Sequence, residues 1–222
     1  MIIPDNLYRS IVSQFPDVVK HLTPDARALV KAGTSGDYDS IRGTYWAEVY
    51  DAVENYLDSA VNVTAPRNKL LVAMGEAFTA TVYIGYQDGG GELPLDDDTA
   101  AWMGGRIAAE RGFITDLFAR LKEQRGELDP VNEALARANG YASGLDQVYS
   151  EAKLHGSKNK MYSFVGDDGE ESCPTCQKMK GARHRGSWWI KNDLIPGSTK
   201  YECGGYNCQH VLVDDSGQQI TL

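Results

Sequence analysis

"CPTCQKMKGARHRGSWWIKNDLIPGSTKYECGGYNCQH", Cys173 to His210, holds all four cysteines of a 222-residue chain and two of its four histidines. The spacing is C-x2-C (Cys173, Cys176), then 26 residues, then C-x4-C (Cys203, Cys208), with His210 two positions further on. Two thiolates separated by two residues can grip one tetrahedral ion, because a tight turn faces both sulfurs inward. Pro174 favours that turn. A second pair on another loop completes the set, since Zn²⁺ accepts four cysteines, three with one histidine, or two of each. The x4 interval is wider than the usual x2, and Gly204-Gly205 gives the chain room for it. His210 offers a nitrogen as a substitute ligand or as an outer partner of one.

Four other readings compete with structural zinc. An even cysteine count allows disulfides, but "MIIPDNLYRS" lacks a basic segment followed by an apolar one, so no secretory signal or oxidising compartment is expected. A redox C-x-x-C normally opens a helix in a thioredoxin-like unit, whereas this one follows an acidic turn. A catalytic zinc keeps one position open beside a general base. Glu170, Glu171 and Glu202 are candidates for that base, and each reads better as a solvated turn residue. Reduced, unliganded cysteines complete the list.

Around the cysteines, "KMYSFVG" reads as a strand, "DDGEES" as a turn, "HVLVDD" as a last strand and "SGQQITL" as a turn and tail. The cysteine segment itself carries few helical signals. Residues 157–222 form a unit of about 66 residues with little apolar content, a size that often needs a staple. Trp188 and Trp189 read as the core this unit lacks, with base or partner stacking as the other use. His184 reads as an exposed loop histidine. Lys178, Lys180, Arg183 and Arg185 read as a solvated face that could meet phosphate.

Residues 1–156 read as helix after helix. Asp5 caps a first one, and Thr23, Pro24 and Gly33 bound a second. Ile41, Tyr45, Val49, Val53 and Leu57 recur every four residues as one apolar stripe. Thr64 and Pro66 open a helix that is apolar on most faces and central. "QDGGGELPLDDD" follows as the flexible break. Asp96 to Asp98 suit a helix N-terminus, and that helix carries Met103, Ile107, Ile114, Leu117, Phe118 and Leu121. Asp129-Pro130 starts another, with Leu145 and Tyr149 on its apolar side, ending near His155-Gly156. His21 and His155 sit at helix ends, where histidine commonly meets free carbonyls. The expected fold is mainly α: a helical N-terminal domain, then a small zinc-stapled β-rich module.

Net charge is −9, with 42% apolar and 24% charged residues, as in a soluble globular protein. From Cys173 onward there are six Lys/Arg against four Asp/Glu, leaving 16 against 27 in the first 172 residues. An acidic body argues against a broad nucleic-acid surface and leaves the tail free to touch one. Leu70–Tyr86 is too short and too interrupted to span a bilayer. Phosphate-loop, zinc-protease, serine-hydrolase and dinucleotide signatures are missing, and no acid–base pair stands out. No enzymatic activity is expected.

The order of features from about Leu145 onward resembles the C-terminal part of tailed-phage minor head proteins, the Mu F-like head-morphogenesis family. "DDGEESCPTCQKMKG" matches the family's acidic turn, C-x-x-C and later glycine. "IPGSTKYECGGYNCQH" matches its P-x-x-H-x-x-C-x-C more loosely. Cys203 stands at the family's histidine, Cys208 at its first terminal cysteine and His210 at its last. The resemblance implies a virion or head-assembly protein made in the bacterial cytoplasm. Its partners would be capsid, portal or sibling copies, and packaged DNA through the tail, with no membrane. A zinc-ribbon nucleic-acid binder is the alternative.

Overall fold

The computed structural model describes residues 38–58, 64–123, 144–166, 172–198, 200–203, 208 and 210–220. The helices expected at Asp5 and Thr23, the start at Asp129-Pro130, His21, Glu170, Glu171 and Gly204-Gly205 lie outside them. The chain divides into two compact units, one of residues 1–84 and 94–145, the other of residues 85–93 and 146–222.

In the first unit, α1 (Tyr38–Asp58), α2 (Thr64–Asp88) and α3 (Asp97–Glu123) are long helices; the last turn of α2 belongs to the second unit. The predicted stripe of α1 is buried at Tyr45, Val49 and Val53, joined by Ala52 and Tyr56. From Leu70 to Tyr86 no residue of α2 is exposed, as expected of a central helix. Phe78 meets Tyr45 edge-on, with ring centroids 6.1 Å apart, and Phe118 of α3 meets Tyr56 in the same way at 5.6 Å. All six predicted core residues of α3 are buried. Asp96 caps that helix by accepting the Thr99 N–H and hydroxyl at 2.9 Å each. Asp97 and Asp98 follow in its positive first turn. Beside the apolar residues Glu110 is buried, paired with Arg106 at 3.5 Å. Burial raises its pKa, partly offset by the Arg106 charge. No helix among the described residues is long and apolar enough to cross a membrane.

The second unit combines Gly85–Leu93, a helix α4 over residues 144–156 whose residues from Asp146 fall here, and the cysteine-bearing chain. The sequence reading places the boundary at residue 157, whereas this unit also takes in Gly85–Leu93 and residues from Asp146, and two contacts account for it. Leu154, on α4, is part of the module's own buried core. The glycine turn after α2 lies against α4, where a β-carbon on Gly89 would overlap the Lys153 carbonyl. That segment, expected to be a flexible break, is a hydrogen-bonded turn. Gly89 and Gly91 N–H donate to the Gly85 and Tyr86 carbonyls at 2.9 Å each, and Tyr149 OH donates to Asp88 at 2.6 Å.

The strands β1 (Met161–Val165), β2 (Arg183–Arg185) and β3 (Val211–Asp214) form an antiparallel sheet in the order β2-β1-β3. Tyr162 pairs with His184 on one side and Asp214 on the other. The two predicted strands are β1 and β3. After β3, Asp214 accepts from the Ser216 and Gln218 N–H groups, and the chain turns back so that Gln219 bridges Val213, covering that sheet edge. Two short helices correct the expectation of a segment poor in helix: α5 (Pro174–Met179) and α6 (Gly186–Asn192). Both are under eight residues, too short for an apolar period to register. Local geometry makes them. Pro174 fixes the first turn of α5. Asp193 ends α6 in the left-handed conformation, with Leu194 N–H donating to the Trp189 carbonyl.

Candidate metal centre

The centre is assembled on one ring. Phe164, fully buried on β1, lies between Trp189 at 6.0 Å, Tyr201 at 6.1 Å and His210 at 5.0 Å, each pair nearly parallel. Trp189 comes from α6 and His210 from the residue before β3. Cys176 belongs to the same apolar cluster, and Cys173, Cys203 and Cys208 pack against it. Trp189 thus supplies core as expected. Trp188 is half-buried and stacks on His184 at 3.7 Å. That corrects the reading of His184 as a loop histidine, since it stands on β2.

The five sequence-predicted donors converge. Cys173, Cys176 and Cys203 sulfurs lie within 4.8 Å of one another, and so do the donor atoms of Cys176, Cys208 and His210. Cys176 belongs to both groups and is the most buried cysteine, 2% exposed. Cys173 and Cys176 sulfurs are 3.3 Å apart, and Cys208 Sγ is 4.0 Å from His210 Nδ1. A tetrahedral ion with sulfur ligands at about 2.3 Å has sulfur–sulfur edges of about 3.8 Å. The Cys173–Cys176 sulfur pair is somewhat closer than that edge, each donor group falls within 4.8 Å, and the donor chemistry is soft sulfur with imidazole. The residues therefore fit a zinc-type ion. All four cysteines are free thiols.

Local structure explains how the donors are aimed. Cys173 is the N-cap of α5, and its sulfur accepts the Cys176 N–H at 3.4 Å. Burial pushes the Cys173 thiol up, but hydrogen bonds from the backbone and side chains of Cys176 and Cys203 outweigh it and bring the pKa down to about 7. Burial pushes Cys176 up, reinforced by its hydrogen bond with Cys173 and by the charges of Cys208, Cys173 and Cys203. Tyr201 is raised by burial and by the same four sulfurs, and its hydroxyl donates to the Leu194 carbonyl at 2.6 Å. Thiolates crowded this closely repel one another, and a central divalent cation removes that repulsion.

Sequence reasoning missed three residues here. Phe164 and Tyr201 build the wall behind the donors. Gly166 faces His210, where a β-carbon would sit 2.7 Å from the imidazole Cγ and closer still to Cδ2. Alternation in "KMYSFVG" signals that Tyr162 and Phe164 share a face; nothing local signals Gly166. Of the candidate bases, Glu202 is exposed. Lys178, Lys180, Arg183 and Arg185 are all exposed. Arg183 is bound by Asp215 through two contacts of 2.7 and 2.9 Å. Comparison with protein-family models, curated proteins and solved structures finds no match to this chain.

Proposed function

We propose that the second unit is a structural-metal module, closed by one Zn²⁺ drawn from Cys173, Cys176, Cys203, Cys208 and His210, and that the chain is a structural component of a tailed-phage virion. The observation that carries the metal reading is the pair of donor groups sharing buried Cys176. Zinc here is a fold staple, and its binding energy is largely folding energy. Elemental analysis of the purified full chain tests it: one zinc per chain is expected, and a metal-free chain with an ordered module overturns it.

The virion reading rests on the order acidic turn, C-x-x-C, proline loop, terminal ligand cluster and closing strand. In this chain the strands before and after that order, β1 and β3, pair with each other. The helical unit would supply packing surfaces for capsid, portal or sibling copies at the head or portal vertex. Mass spectrometry of purified particles tests it, and a chain found only in lysate and never in particles counts against it. The nucleic-acid reading has less support. Arg183 is neutralised by Asp215, and one face of Trp188 is taken by His184. A salt-dependent mobility shift with DNA would revive that reading.

A further inference from the structure

Cys176 is the donor common to both groups, so neither group survives its loss, whichever donors take the metal. The same sulfur lies 3.3 Å from that of Cys173, and both are free thiols. A disulfide holds its sulfurs at about 2.05 Å, so closing this pair takes a shift of little more than about 1 Å.

The two cysteines differ in access. Cys173 is half-buried and precedes an exposed Pro174, whereas Cys176 is 2% exposed inside the apolar cluster of Phe164, Trp189 and Tyr201. A reagent arriving from solvent meets Cys173 first, and Cys176 stands behind it. Helix α5 fixes this order, because Cys173 is its N-cap and Cys176 lies in its first turn. Thiol–disulfide exchange runs through a mixed disulfide that a second thiol resolves, and access decides which sulfur starts it.

We infer that Cys173 and Cys176 form a thiol–disulfide exchange site, whose oxidation by a low-molecular-weight disulfide expels the zinc and unlocks the module. The metal half rests on the zinc reading above; the exchange half does not. The Cys173 sulfur attacks one sulfur of the incoming disulfide, RSSR. A mixed disulfide forms at Cys173 and the first RS⁻ leaves. The Cys176 sulfur then attacks Cys173 Sγ, closes the internal disulfide and releases the second RS⁻. The two cysteine sulfurs lose one electron each, and RSSR is reduced to two RSH. The two protons come from the cysteines or, where the metal already holds them as thiolates, from water. The new bond does not replace the metal. It closes a loop within a single turn, where cross-linking gains least. The donor groups instead join α5 to Cys203, Cys208 and His210.

Incubating the zinc-loaded full chain with oxidised glutathione tests this, with zinc read by a chromophoric chelator and bonds by peptide mass spectrometry. One zinc released per Cys173–Cys176 disulfide is expected, with loss of the near-UV signal of Trp188 and Trp189. Glutathione trapped early should sit on Cys173. Dithiothreitol with added zinc should restore the signal. Cys203→Ser leaves the pair intact and should form the same disulfide. A bond from Cys173 to Cys203 in the wild type overturns the pairing. A zinc-loaded chain whose thiols and metal are unchanged by the oxidant overturns the exchange site and leaves the zinc reading standing. A chain purified without zinc that still forms the bond removes the zinc reading and keeps the exchange site.

Discussion

The two units solve the same problem in different ways. The first has helices of 21, 25 and 27 residues whose apolar faces meet through Tyr45, Phe78, Tyr56 and Phe118. Length gives each helix several turns of buried surface, and packing of that surface is what stabilises helices in proteins. The second has strands of 5, 3 and 4 residues and helices of 6 and 7 beside its cysteines. Elements this short place at most two side chains each in the core, Tyr162 and Phe164 from β1, Trp189 from α6 and Leu212 from β3, so order depends on links between them. The aromatic stack on Phe164 is one link, and the donor cluster is the other. On the zinc reading proposed above, the contrast is between a core supported by long packed helices and a core of short elements cross-linked by a metal.

Removing the link gives the largest expected effect. Cys176→Ala takes away the donor common to both groups. Structural zinc is worth about 10–16 kcal/mol to small zinc-dependent folds, far more than a module of this size can spare. The variant should bind no zinc and lose the near-UV circular dichroism of Trp188 and Trp189, while far-UV helical signal from α1 to α3 persists. A strong chelator should do the same to the wild type. Retained near-UV signal in either case would erase the contrast between the units.

Two phenylalanines sharpen it. Phe164 and Phe118 are both buried, at 0% and 1% exposure, so truncating either to alanine should cost about 3–5 kcal/mol in its own unit. The difference lies in zinc. Phe164→Ala removes the ring under His210 and should lower zinc affinity, because binding and folding are coupled there. Phe118→Ala should shift denaturant unfolding of the helices and leave zinc affinity unchanged. Equal effects on zinc would mean that the units do not hold their stability separately.

Much of the helical unit was legible. The fourfold recurrence in α1, the continuous burial of α2 and the six core residues of α3 are each visible as patterns, because long helices repeat their contacts. β1 and β3 were legible for the same reason at period two. The donor set was legible because metal ligands are few residue types at restricted spacings. What stayed hidden depends on contacts far apart in sequence. Leu154 lies in the last turn of α4 and completes the module's core, and Gly89 permits close approach to Lys153. Gly166 makes room for a ring 44 positions away in the numbering. α5 and α6 are set by a cap and a left-handed stop, and a 3.6-residue period cannot show in two turns.

A smaller effect tests the helical core by pH. Glu110 is buried with its pKa raised above 4.5, chiefly by burial. In the window between 4.5 and that raised value the folded unit holds more protons than the unfolded one, so its stability falls as pH rises. Glu110→Gln should remove this slope. The variant should melt higher than wild type at neutral pH, and the advantage should vanish as pH drops below about 4.5, the ordinary carboxyl value. A destabilised variant at neutral pH would mean that the Arg106 pair outweighs the cost of burial, and the helical core would then depend on a link of its own.

The smallest effect belongs to a link that should not matter. Arg183 on β2 and Asp215 after β3 join the two edges of the sheet, at 2.7 Å, with side chains 51% and 66% exposed. Solvent screening and the entropy of two fixed side chains hold exposed pairs to about 0.2–1 kcal/mol. Arg183→Ala should therefore move the module's denaturation midpoint slightly, and wild type should lose the same increment in high salt. Zinc affinity should stay the same, since no donor is touched. A large loss would give the sheet edges a share of the cross-linking that the zinc reading assigns to the donor cluster, because this pair joins β2 to the turn after β3.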